Sequence, residues 1–531
     1  MKKKAVFLLL SLLLMLSVAI TPAYAAAPNP NLSKVPGTWA PGATPPNLNP
    51  NAPIVLFVQG LTSYAGMWYN ESDMYQTAYN NGYQTAFVEL YDSAGTPKSM
   101  WDNGKILADR IVEISKHYNK KIVVVAHSKG GVDTQTALVH YNAYPYVSNV
   151  ITLSSPHYGS QLADLAYSSW AGWLAQLIGY QSDGAYSMQT SYMKYFRSIT
   201  DSHVNASKNK FFTFAGNDWN AGTAAHFAGG LYLSFYGPND GVVTVANSYI
   251  PKGTMVRVGA WSHQTIRNGS STFSLFKPYL TTNTLALAPA AKDDGRAVAI
   301  AAADVESSAR AEASAAEEAS DVLVRGGSHN GQAVEKFLVE NDVRSIKLTW
   351  MSDQQLSELE LTDPDGKTRK VKVSAAQDQE GIFKGAWIHT AEVKKPKSGE
   401  WTVQATSERS GAYLLTVQYD SDLGRSLKLK PKKAGSNDKV QVEMKGLAAQ
   451  QTKLRYSVSL APAQDNKQKG KTRNLVVNET ANAQDEIGLP SGHGSGVYNV
   501  TVDVAGQTPQ GVPFERTLIR SIYEDEKGER Y

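Results

Sequence analysis

Ile122-Val-Val-Val-Ala-His-Ser-Lys-Gly-Gly131 decides how this chain is read. A β-branched apolar run ends at small residues that bracket one serine, Ser128. A strand that turns sharply into a helix at a serine needs small neighbours, because the serine backbone is strained there. The hydroxyl then projects from the carboxyl edge of a sheet, and the following amide faces developing negative charge at a helix N-terminus. The stretch predicts Ser128 as a nucleophile, the Lys129 amide as one anion-stabilising donor, and a helix over Gly130 to Tyr141.

Working outward, five more short apolar runs surround it: Ile54–Val58, Thr85–Val88, Asn149–Leu153, Phe211–Phe214 and Met255–Val258. They do not alternate, as strands buried on both faces should not. Ile106, Leu107, Ile111 and Ile114 recur at helical spacing between two of them. This β-α-β rhythm predicts a doubly wound, mostly parallel sheet flanked by helices.

A nucleophilic serine needs a base, and histidine titrates near neutrality. In sheets of this type the order along the chain is serine, acid, histidine. His263, in Ala260-Trp-Ser-His-Gln264, follows the last core strand and is the expected base. His117 and His140 fall on predicted helices, and His127, beside the nucleophile, is expected to face elsewhere. Asp240, in Gly237-Pro-Asn-Asp-Gly-Val-Val243, is the leading acid, with Asp218 as runner-up. The second anion donor is expected in Gln59-Gly60-Leu61-Thr62, from the Leu61 amide, with Gly60 permitting the tight path.

The region from about Pro53 to Leu280 resembles secreted bacterial lipases of the α/β-hydrolase superfamily. The likeness rests on Gln59-Gly60, Ala126-His-Ser-Lys-Gly130, Ser155-Pro-His-Tyr-Gly-Ser160, Asn239-Asp-Gly-Val-Val243 and His263. Ala126 resembles the Bacillus-type lipases and some extracellular polyhydroxyalkanoate depolymerases. Asn-Asp-Gly resembles the Pseudomonas and Burkholderia lipases. The resemblance implies esterase chemistry through a Ser-His-Asp triad. Two departures stand out: Gln59 replaces the usual histidine, and a calcium-binding aspartate pair is incomplete, with Asp218 at one position and Thr265 at the other. No cofactor and no metal are expected.

Residues 162–196, between the fourth and fifth core runs, are rich in large apolar side chains. They read either as a lid or acyl wall meeting a lipid or polymer surface, or as an amphipathic segment packed on the core. Trp170, Trp173, Leu174 and Leu177 are the expected substrate contacts.

Lys2 to Lys4, the apolar run Ala5–Ile20 and Ala23-Tyr-Ala25 form a secretion signal over residues 1–25, so the protein is expected to be exported. Setting those lysines aside lowers the net charge from +4 to +1, which gives no electrostatic case for nucleic acid. Cysteine is absent, which excludes disulfides, thiolate catalysis and Cys-ligated metals.

The hydrolase region spans 26–286. Residues 287–320 are Ala/Glu-rich and read as a linker. Alternation such as Ile346-Lys-Leu-Thr-Trp350, Val440-Gln-Val-Glu-Met444 and Tyr498-Asn-Val-Thr-Val502 then predicts antiparallel β-sandwiches over 321–422 and 423–531. The tail's expected role is contact with a polymer or cell surface, help in folding, or removal by processing. Lipase/carboxylesterase is the leading expectation. A polyester depolymerase is the alternative, and a non-catalytic surface-binding protein with a degenerate hydrolase domain is the reading from another class.

Overall fold

Seven strands form the sheet that carries Ser128: β1 (Trp39–Pro41), β2 (Ile54–Val58), β3 (Thr85–Val88), β4 (Ile122–His127), β5 (Val147–Leu153), β6 (Lys210–Gly216) and β7 (Thr254–Gly259). The computed structural model describes residues 26–172, 174, 181–220, 223–282, 321–373, 377, 383–433, 436–447, 451–463, 472–482 and 486–531. The secretion signal, the 287–320 linker, Trp173 and Leu177 lie outside the described residues.

The strand order is β1-β3-β2-β4-β5-β6-β7. All pairings from β2 to β7 are parallel, and only β1 runs antiparallel, on β3. β2 and β4 are buried along their whole length, which is why their sequences do not alternate. The helix Met100–Tyr118 buries Leu107, Ile111 and Ile114; it starts at Ser99, whose hydroxyl accepts from the Asp102 amide, and stops at Asn119 in the left-handed region. The winding direction reverses between β2 and β4, so the carboxyl ends of these two strands frame the crevice where such sheets take ligands.

The C-terminal region is antiparallel, as its alternation predicts. Its first unit comprises β8 (Val322–Val339), β9 (Ser345–Ser352), β10 (Leu356–Thr362), β11 (Thr368–Lys370), β12 (Trp387–Lys394) and β13 (Gly399–Asp420). These make one sheet rather than two separate ones. The long β8–β13 ladder shifts register between Thr406 and Ser410; on one side of that bulge β13 pairs with β10, on the other with β9. Residues from both halves, such as Trp401 with Phe337 and Trp350 with Leu415, share one core. The bulge therefore lets two strands serve both layers.

The second unit packs a three-stranded sheet of β14 (Leu427–Lys433), β15 (Ser436–Met444) and β18 (Ile487–Gly488) on a four-stranded one. The latter contains β16 (Lys453–Pro462), β17 (Arg473–Asn482), β19 (Gly496–Gln507) and β20 (Pro513–Glu524). Among the described residues no helix is long and apolar enough to cross a membrane.

Candidate active site

Ser128 stands at the junction of β4 and the helix Lys129–Val139, with φ 52° and ψ −135°. Positive φ is costly for a serine. The surroundings accept it because the neighbours are small: a Cβ on Gly130 would come within 2.3 Å of the Gln59 carbonyl, and one on Gly60 within 2.7 Å of the Ser128 Cβ. The loop after β2 thus rests directly against Ser128. Lys129 opens its helix, so its amide has no partner inside that helix.

His263 follows β7, and Asp240 lies in the loop between β6 and β7. His263 Nδ1 and Asp240 Oδ2 are 2.7 Å apart. The other carboxylate oxygen of Asp240 accepts from the Val242 and Val243 amides at 2.9 and 2.8 Å. Burial alone would raise the Asp240 pKa, but the adjoining His263 imidazole, their hydrogen bond and the Val243 amide outweigh it and hold the carboxyl below the usual range. The His263 amide also donates to the Asp240 carbonyl at 2.9 Å. Asp218 instead accepts from the Asn220 amide within its own turn; of the two acids, Asp240 is the one on His263.

A cavity open at its mouth is lined by Ser128 and His263 together with Leu61 and Lys129. Apolar wall is supplied by Leu61, Pro156, Met188, Val242 and Val243. His127, His226 and Arg267 also reach it.

One sequence expectation for this region needs revising, and two further residues take places that the sequence did not assign. His127 does not face elsewhere: its ring lies 4.5 Å from that of His263, because the loop after β7 folds back across the end of β4. His226 was not a candidate in the sequence; it opens the helix Ala224–Leu233, where it forms a capping box with Thr223, a local pattern without a catalytic signature. Gln59, in place of histidine, turns from the cavity and bonds the end of β3, donating to the Val88 carbonyl (2.9 Å) and accepting from the Leu90 amide (2.8 Å). Among the described residues, no group of three or more His, Asp or Glu side chains is arranged to hold a metal ion.

Of the expected substrate contacts, the two among the described residues, Trp170 and Leu174, fall elsewhere. Trp170 donates through Nε1 to Asp503 (3.2 Å) and stacks under the Arg325 guanidinium, while Leu174 is fully buried. Neither lines the Ser128 cavity. The described part of the 162–196 insertion packs on the C-terminal region. Leu162, Leu165, Tyr192 and Phe196 share a core with Val324, Leu414 and Tyr523. Tyr192 and Tyr195 sit 4.9 and 4.7 Å from the Tyr523 ring. Thr190 and the Ser191 amide bond the Ser521 hydroxyl, both at 3.2 Å. The sequence shows the insertion's apolar face but not its partner, which lies more than 100 residues away at Val324 and more than 300 away at Ser521.

The sheet order, the strained serine turn and the His-bearing loop after the last strand define an α/β hydrolase. A family model described as PGAP1-like alpha/beta domain matches residues 63–172. Among solved structures the chain is similar to the lipase BlEst2 of Bacillus licheniformis in its propeptide form. The two share 36% identity over 94% of this chain and 99% of that one, with a TM-score of 0.75. The mature form of that lipase matches at 46% identity over 46% of this chain and 99% of its own, with a TM-score of 0.44. An acetyl xylan esterase from Aspergillus awamori matches at 16% identity over 36% of this chain and 73% of that one, with a TM-score of 0.26. No curated protein sequence matches. The chain belongs to the family of the Bacillus licheniformis lipase BlEst2, within the lipases and esterases of the α/β-hydrolase fold.

Proposed function

We propose that this protein is a secreted lipase or carboxylesterase that hydrolyses carboxylic esters through an acyl-enzyme. The observation that carries the reading is the 2.7 Å His263–Asp240 pair on the same cavity as a serine held at positive φ. Ser128 Oγ attacks the ester carbonyl while His263 Nε2 takes its proton and passes it to the leaving alcohol. Asp240 fixes the imidazole tautomer through Nδ1 and stabilises its charged form. The Leu61 and Lys129 amides receive the oxyanion. Water then attacks the acyl-enzyme along the same proton route. The apolar wall of Leu61, Pro156, Met188, Val242 and Val243 suits an acyl chain, and the leading basic-apolar segment supports export.

The C-terminal β units read as a propeptide. The similar lipase is described in a propeptide form. In this chain the same region grips helix Thr190–Thr200, two residues beyond the cavity-lining Met188. The test compares full-length protein, a form ending at residue 282 and Ser128→Ala on soluble esters and emulsified triglycerides. Ester turnover that vanishes only in Ser128→Ala, and triglyceride turnover that rises on truncation, are expected. Full activity in Ser128→Ala contradicts the enzymatic reading; a truncated form with unchanged triglyceride turnover contradicts the propeptide reading.

A further inference from the structure

We infer that Asp92 is a positioning residue for the oxyanion pocket, a single buried carboxylate tied to both of the backbone segments that form it. The inference rests on the serine-hydrolase reading above. Asp92 lies in the turn Tyr91–Ala94 after β3, with its side chain 1% exposed. One oxygen accepts from the Thr62 amide at 3.1 Å. The other accepts from Asn103 Nδ2 at 2.5 Å and lies 3.5 Å from Lys129 Nζ. Lys129 also pairs with both oxygens of Asp133, at 2.9 and 3.0 Å, and Asn103 bridges to Asp133 at 3.0 Å. Asn103 is held in turn through its carbonyl by the Tyr91 amide.

The two segments need this. Thr62 has φ 56°, an outlier for a β-branched residue, and such a conformation lasts only where the surroundings over-determine it. The bond to Asp92 fixes the plane of the Leu61–Thr62 peptide and with it the setting of Leu61. On the other side, the Lys129 side chain reaches the same carboxylate while the Lys129 amide opens the nucleophile helix. The spacing between the two donors is thereby set through Lys129, Asp92 and Thr62.

Stability alone is a weak reason for such a group. A buried ion cluster is often no more stabilising than apolar side chains of the same volume. Burial works against the Lys129 charge, but Asp133 and Asp92 outweigh it and raise its pKa, so the cation stays in place. What the cluster supplies is fixed geometry at donors that must be in position before charge develops.

The test uses full-length protein, a soluble p-nitrophenyl ester, and an alkyl boronic acid as the tetrahedral mimic. Asp92→Asn keeps an oxygen for the Thr62 amide but turns an amide nitrogen towards Asn103 and Lys129, so it is expected to lose kcat, though less than Asp92→Ala. Asp92→Ala removes it and is expected to lower kcat about 10- to 100-fold with KM little changed, less than the roughly 100- to 1000-fold cost of deleting an oxyanion donor outright. Boronic acid affinity should fall in step with kcat, which a merely structural role would not produce. Asn103→Ala frees the carboxylate without deleting it and should give the same split, smaller in size; it decides the matter if Asp92→Ala does not fold. A folded Asp92→Ala with parental kcat, an Asn103→Ala with parental kcat, or a kcat loss unmatched by boronic acid affinity overturns the inference. Turnover by Ser128→Ala instead overturns the reading beneath it.

Discussion

His127 Nε2 donates to the backbone carbonyl of His263 at 2.7 Å, and the rings of the two residues lie 4.5 Å apart. A carbonyl can only accept, so this bond places a proton on His127 Nε2. Burial, and then the neighbouring His263, lower the His127 pKa well below the ordinary histidine value. His127 therefore anchors the backbone of His263.

Replacing that donor should misplace the base without emptying the cavity. His127→Phe is expected to lower kcat about 10- to 100-fold with little change in KM, since small displacements of catalytic groups cost that much. His127→Gln, which can still donate, should recover part of the loss. Steady-state kinetics of both variants on a soluble ester checks this, and equal kcat in both would remove the hydrogen bond from the account.

The acid is separable by mutation. Asp240→Asn should cost about 10³- to 10⁴-fold in kcat by disturbing the imidazole tautomer. Asp218→Asn, which keeps an oxygen for its turn contact with the Asn220 amide, should leave kcat near the parental value. A reversed ranking would reassign the acid.

Gly60 has no room for a side chain. An added Cβ would meet the Ser128 Cβ at 2.7 Å and the His127 carbonyl at 3.2 Å. Gly60→Ala should therefore inactivate the enzyme while its circular dichroism stays near parental, and an active Gly60→Ala would mean that the loop moves freely against the serine.

Stability should fall on the acid side. His140 and His389 are pushed down to about 4, and His127 and His157 are also lowered, each mainly by burial. These rings are neutral when folded and charge on unfolding, so their contribution is full above about pH 6.5 and is lost as pH drops towards 4. Asp240, held low, adds a loss at still lower pH. Thermal melts of Ser128→Ala between pH 7.5 and 4.5 should show a falling Tm, and His389→Phe should flatten the slope. An unchanged slope would exclude His389 as a contributor.

Much of this was legible in the sequence, for a physical reason. Buried parallel strands are marked by unbroken apolar runs, so β2 to β7 announce themselves, and the small residues around Ser128 mark the strained turn. Asp240 and His263 follow from chain order. The Lys129–Asp133 pair leaves only an i,i+4 spacing as its trace, and Asp92 and Asn103 join it through tertiary packing that no local pattern encodes. The same holds for Trp170 and Asp503, whose contact crosses 333 positions. β1 was missed because a three-residue edge strand carries too little periodicity.

Ser128 is the proposed nucleophile. Labelling with a fluorophosphonate followed by peptide mass spectrometry tests it most directly. Stoichiometric modification of Ser128, parallel loss of ester hydrolysis, and no labelling of Ser128→Ala are expected. Modification at another residue with loss of activity, or an unlabelled enzyme that still turns over ester, would contradict it.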